Sequence, residues 1–104
     1  MNKARRERID RRNALKLWGI NVRLRDNNTC QICGSTKFLN AHHIIPKEIK
    51  ELSLDIMNGE TLCVKCHKFG LFSAHKNGLW FSEFLKTKKP RQYAYLLKKI
   101  QGGL

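Results

Sequence analysis

Two pairs of cysteines constrain this chain more than any other feature. Two residues lie between Cys30 and Cys33, as between Cys63 and Cys66, and a long segment separates the pairs. A Cys-x-x-Cys turn aims two thiolates at one point, and two such knuckles make the four-sulfur tetrahedron that Zn2+ prefers. Gly34, next to the first pair, suits the backbone twist that a knuckle needs. A disulfide framework or a redox pair would also use four cysteines. The paired spacing, in a chain with no secretory features, favours structural zinc. A chain of 104 residues has a small core, and a metal staple is a common remedy.

Charge narrows the partner. The formal net charge is +13, from 21 Lys and Arg against 8 Asp and Glu. Residues 1–25 hold nine basic and two acidic residues, 26–82 hold six and five, and 83–104 hold six and one. Basic flanks around a nearly neutral middle favour a polyanion, and nucleic acid is the commonest one. No apolar run approaches the ~18 residues of a membrane helix. Nor does an apolar stretch follow the charged N-terminus as in a signal peptide. The expectation is a soluble cytoplasmic protein with no membrane partner.

The chain divides into three expected segments of one domain over 1–104. The first, 1–26, is a basic helical segment starting at about Arg5, in which Leu15, Trp18 and Val22 recur at helical spacing and Gly19 weakens or breaks the pattern. The second, 27–76, is the zinc-stapled core, with a β-like stretch from Lys37 and an irregular connection over 46–59. A short helix follows Cys66 and breaks near Gly70. The third, 77–104, is helical. LWFSEFLK over 79–86 would turn Leu79, Trp80, Phe84 and Leu85 inward. A last helix starting at Pro90 carries Tyr93, Leu96, Leu97 and Ile100 on one stripe.

All four histidines, His42, His43, His67 and His75, lie around the second knuckle. A zinc ion with four thiolates is a closed site, so they have no part in it. Adjacent side chains on a strand point to opposite faces, so His42 and His43 have different tasks. Phosphodiester hydrolysis needs such a division: a base for water, and a cation for the departing oxygen.

The succession CQICG, NAHHIIP, Asn58-Gly59-Glu60-Thr61-Leu62-Cys63 and Cys66-His67 resembles the HNH endonucleases, closest to the small zinc-stapled members common in phages and prophages. The resemblance covers about residues 18 to 75. It implies a small α+β fold, a ββα-metal core with a four-Cys zinc site, flanked by N-terminal and C-terminal helices. It further implies His43 as general base, His42 and His67 as ligands of a catalytic divalent cation, and Asn58 holding the base in orientation. Without the resemblance, Asn58-Gly59 reads as a stock turn dipeptide. Relatives often carry a further histidine four or five residues past the His67 position. Here the next is His75, eight residues on, as a ligand, a phosphate contact or a surface histidine.

These implications describe a metal-dependent endonuclease that cuts DNA, bound mainly through phosphates and its basic flanks. The catalytic ion would be Mg2+ or Mn2+, and a histidine-rich site would also accept Ni2+, Co2+ or Zn2+. The alternatives are a non-catalytic zinc-knuckle module that binds nucleic acid, or an adaptor docked on a larger phage protein complex.

Overall fold

The computed structural model describes residues 2–103. Helix α1 spans Lys3–Arg25 without interruption. The Asn2 side chain caps it by accepting a hydrogen bond from the Arg5 amide at 2.8 Å. The helix stops at Asp26, where Asn27 and Asn28 turn left-handed with φ of 55° and 49°, a conformation asparagine tolerates. Trp18, Gly19 and Val22 form the buried face. Gly19 therefore breaks nothing: it lies in a regular helix, pressed toward strand β1.

Strands β1 (Leu39–His43) and β2 (Gly59–Cys63) pair antiparallel, from Leu39 opposite Cys63 to His43 opposite Gly59. The connection between them holds two 3-10 turns, Lys50–Leu52 and Ile56–Asn58. Directly opposite residues share a face of the sheet, so His43 and Gly59 lie together under α1. A Cβ on Gly59 would come within 2.4 Å of Val22 and 2.8 Å of Trp18. The close approach of helix and strand requires glycine there.

The other face carries Leu62, which packs with Phe81, Leu85, Ala74 and the buried cysteines. Helix α2 spans Gly78–Lys88 and is capped by Asn77, whose side chain accepts from the Trp80 amide at 3.1 Å. Helix α3 spans Pro90–Gln101 and begins with its proline. Gln92 ties α3 to the sheet by donating to the Met57 and Gly59 carbonyls, both at 2.8 Å. The architecture is small α+β, a two-stranded sheet between one long helix and two short ones.

Two expectations about the helices need correction. Leu79 does not face inward; it is 85% exposed, and Phe81 takes its place in the core beside Leu85. Residues 81 and 85 are four apart and stack on one face, whereas 79 lies on the opposite side. On α3 only Leu96 of the expected stripe is buried, while Leu97 and Ile100 face an open groove. The short helix expected around Cys66 is present as a single π-helical turn, Lys65–Phe69, and ends at Gly70 as expected.

A charged cluster locks α1 to β2. Arg25 makes two hydrogen bonds with the Asp26 carboxylate, both at 2.9 Å, and Asp26 in turn accepts from the Thr61 amide at 3.1 Å. Glu60 is fully buried beside this pair, with Arg25 Nη2 at 3.7 Å and no hydrogen bond to either carboxylate oxygen. Burial pushes its carboxyl up to about 7, against the pull of Lys89 and Arg25.

Two outcomes follow from this packing. Gly59→Ala is expected to lower unfolding stability in denaturant titrations by about 1–3 kcal/mol, the usual range for overpacking. For Glu60 the folded value lies above the unfolded one, so its favourable contribution is present in acid and lost as pH rises through about 7. Glu60→Gln is expected to be more stable than wild type at pH 8, by on the order of 3 kcal/mol or less, and so to melt at a higher temperature, and to match it near pH 4. Equal melting of both proteins at pH 8 would refute that account.

Candidate metal centres and the two-faced histidine site

The four cysteines meet where the first knuckle touches the end of β2. Gly34 adopts φ 80° as the knuckle requires, and its amide donates to the Cys30 carbonyl at 2.9 Å. All four sulfurs lie within 4.8 Å of one another, none in a disulfide, and Cys33 and Cys63 are 3.6 Å apart. A tetrahedral ion with sulfur at ~2.3 Å sets its ligands about 3.8 Å apart, so the spacing fits. The thiol chemistry also calls for a cation. Burial acts to raise the Cys30 thiol, but backbone donors at Cys33, Cys63 and Ile32 outweigh it and bring it down to about 7. Burial and the neighbouring sulfurs push Cys66 the other way. Four thiolates are compatible here only around a positive ion.

The second cluster is built by folding back rather than by helical repeat. His42 comes from the inner face of β1 and His67 from the π-helical turn. The chain then reverses after Gly70, and the amides of Ala74 and His75 donate to the carbonyls of Cys66 and His67 at 2.8 and 3.0 Å. This closure sets His75 Nε2 2.9 Å from His67 Nε2. The His42 ring meets His67 and His75 edge-on, at centroid distances of 4.9 and 5.1 Å. One nitrogen of each ring falls within 4.8 Å of the others. Burial and the adjacent imidazoles hold His42 down at about 3, and burial with His75 holds His67 at about 4. Both are neutral near pH 7, with lone pairs available. His67 Nδ1 is buried with no hydrogen-bond partner. Three convergent imidazoles fit a divalent ion.

His43 faces the other way. Its ring stacks on Trp18 at a centroid distance of 3.7 Å and an interplanar angle of 9°. Trp18 is itself held by donating from Nε1 to the Asp55 carbonyl at 2.9 Å. His43 Nε2 lies 2.9 Å from the Ser53 carbonyl. A carbonyl only accepts, so Nε2 carries the proton and Nδ1 keeps a free lone pair. Burial lowers the His43 pKa, opposed by the Ser53 carbonyl and reinforced by Lys47 and Arg11.

Asn58 differs from its expected position. Its side chain accepts from the Ile45 amide at 2.7 Å and donates to the Ile45 and Leu52 carbonyls at 2.9 and 3.1 Å. None of these bonds reaches His43. Asn58 instead pins both ends of the connecting loop, and the carbonyl that orients His43 belongs to Ser53, next to Leu52. Ser53 and Trp18 were not foreseen as partners of His43. A backbone carbonyl leaves no mark in residue type, and Trp18 at helical spacing reads as core.

A β-hairpin and turn gather cysteines and histidines into two clusters placed to hold metal ions within a small α+β domain. Residues 30–69 match the family model described as HNH endonuclease. The matched stretch is under half of the chain and includes all four cysteines, His42, His43, Asn58 and His67. His75, α1, α2 and α3 lie outside the match. Searches of the curated proteins and of the solved structures each returned no match.

The cysteine cluster is expected to hold one tightly bound metal ion. Native mass spectrometry should find one ion that survives gel filtration in the wild type, absent in Cys63→Ser together with a large loss of thermal stability. Intact disulfides and no metal would overturn this.

Proposed function

We propose that the protein is a metal-dependent endonuclease that hydrolyses DNA phosphodiester bonds. Zn2+ is held by Cys30, Cys33, Cys63 and Cys66, and a separate divalent ion is held by His42, His67 and His75. The observation that carries this reading is the division at residues 42 and 43. Adjacent imidazoles enter opposite faces of one strand, one joining a ligand cluster and the other keeping a free Nδ1.

Each group has a task. His43 Nδ1 accepts a proton from a water as its oxygen forms a bond to phosphorus. The Ser53 carbonyl holds the tautomer that makes this possible, and Trp18 holds the ring plane. Asn58 is a positioning residue, acting through the loop that carries Ser53. A bound divalent cation supplies positive charge for the negative charge that develops on the phosphate and the departing oxygen. His42, His67 and His75 provide nitrogen donors alone. Imidazole suits Ni2+, Co2+ and Zn2+, whereas Mg2+ demands oxygen ligands, so activity with Ni2+, Co2+ or Zn2+ should exceed activity with Mg2+. The basic flanks give affinity through phosphates without reading sequence, in the cytoplasm of a host cell if the chain is phage-encoded.

Cleavage of supercoiled plasmid is the direct test, with and without added divalent ion. His43→Ala should lose about 10²–10⁴-fold in rate, as general-base removal does, while zinc content and DNA affinity stay near wild type. His42→Ala and His67→Ala should weaken the catalytic ion, so that excess metal partly restores them and not His43→Ala. Full activity in His43→Ala would leave a non-catalytic nucleic-acid-binding module as the better description.

A further inference from the structure

A second cleft opens on the outer face of β1, between that strand and α1. Lys16 and Arg23 of α1, Asn40 and Ala41 of β1, and His43 and Lys47 form its walls, and no carboxylate lines it. It meets the histidine groove at Ala41, His43, Lys47 and His67, which line both. Lys47 and Arg11 lie close enough to depress the His43 pKa, and Arg11 is anchored here by donating to the Lys47 carbonyl at 3.1 Å.

Arg23 is the exceptional member. Two residues on, Arg25 commits its guanidinium to Asp26 and to the carbonyls of Ile56 and Gly59. Arg23 is half-buried, yet its side chain makes no hydrogen bond or ion pair among the described residues. Its guanidinium lies across the bare backbone at Gly19. A Cβ there would stand 3.3 Å from Arg23 Nη1 and 3.6 Å from the Ala41 Cβ. A guanidinium with all five donors uncommitted, inside a cleft lined by further cations, matches a tetrahedral oxyanion.

We propose that the α1–β1 cleft is a phosphate site, in which Arg23 clamps a phosphate of the strand being cut and Lys16 and Lys47 add point charges. That the strand is the one being cut rests on the nuclease reading. That the cleft binds a phosphodiester does not.

The experiment uses the full chain with its zinc and a short DNA duplex. Binding is measured by fluorescence anisotropy across a salt series without added divalent ion, and cleavage at saturating DNA with it. Arg23→Ala should fold normally by circular dichroism, bind about tenfold more weakly, and show a salt slope reduced by about one. Arg23→Lys should regain the slope but cleave about tenfold more slowly at saturation, because an ammonium cannot reproduce the fork. Gly19→Ala keeps every charge and improves helix propensity. By crowding the guanidinium it should still slow cleavage about threefold. Wild-type affinity and slope in Arg23→Ala overturn the phosphate site, whatever the protein cleaves. A reduced slope in Arg23→Ala, with no cleavage by wild type under any metal, supports the phosphate site and removes the nuclease reading. A reduced slope with unchanged saturated cleavage overturns the assignment to the cut strand.

Discussion

A two-stranded sheet is not stable in isolation, and this one has five residues in each strand. What makes it a foundation is the junction of four cysteines at one end. Cys63 closes β2 opposite Leu39 at the start of β1. Cys30 and Cys33 bring in the turn that follows α1, and Cys66 fixes the first residues beyond the sheet. Three segments that share no continuous secondary structure are joined at one point. An ion held there by Cys30, Cys33, Cys63 and Cys66 would remove the mutual repulsion of the thiolates and make the junction a rigid corner. The placement of His67 depends on that corner, because His67 follows Cys66 directly.

Strand geometry then sorts the chemistry. Once the register is set, His42 must face α2 and α3 while His43 must face α1. The inner face is apolar around Leu62 and Phe81, so burial keeps His42 neutral. The outer face offers Trp18 as a stacking surface and a loop carbonyl as acceptor, which leaves His43 a defined tautomer. Gly59 makes the outer arrangement possible, since any side chain opposite His43 would collide with Trp18 and Val22. One register therefore determines two different imidazole environments.

Local features were legible in the sequence. The knuckles, the proline at the start of α3 and the alternation at His42 and His43 are short-range consequences of spacing. Features arising from chain reversal were not. His75 reaches His67 because the loop closes on backbone hydrogen bonds to residues 66 and 67, and helical periodicity gives no account of that. Asn58 read as a turn residue until family likeness gave it a role, and its contacts then fell on the loop rather than on His43. Leu79 departs from the expected inward stripe because Phe81 and Leu85 fill the i, i+4 pair on the core side, and residue 79 falls on the far side of the helix.

Cations and packing contacts divide along the length of α1. Its first turns hold Lys3, Arg5, Arg6 and Arg8 with no acidic residue in the first turn. Positive side chains at a helix N-terminus oppose the macrodipole, at about 0.3–1 kcal/mol each. The helix tolerates this because Asn2 caps it and because its last two turns are anchored by packing. Those turns carry Trp18 against His43, Val22 against Gly59, and Arg25 with Asp26 against β2, with Arg23 and Gly19 between them at the cleft. The segment that matches the family, 30–69, supplies ligands and a candidate base. The ring that orients that base and the cations beside it come from a helix wholly outside the match. A cut of the chain to 30–69 would keep the whole matched stretch and lose the wall against which His43 is held, so the unit that positions His43 is the hairpin together with α1.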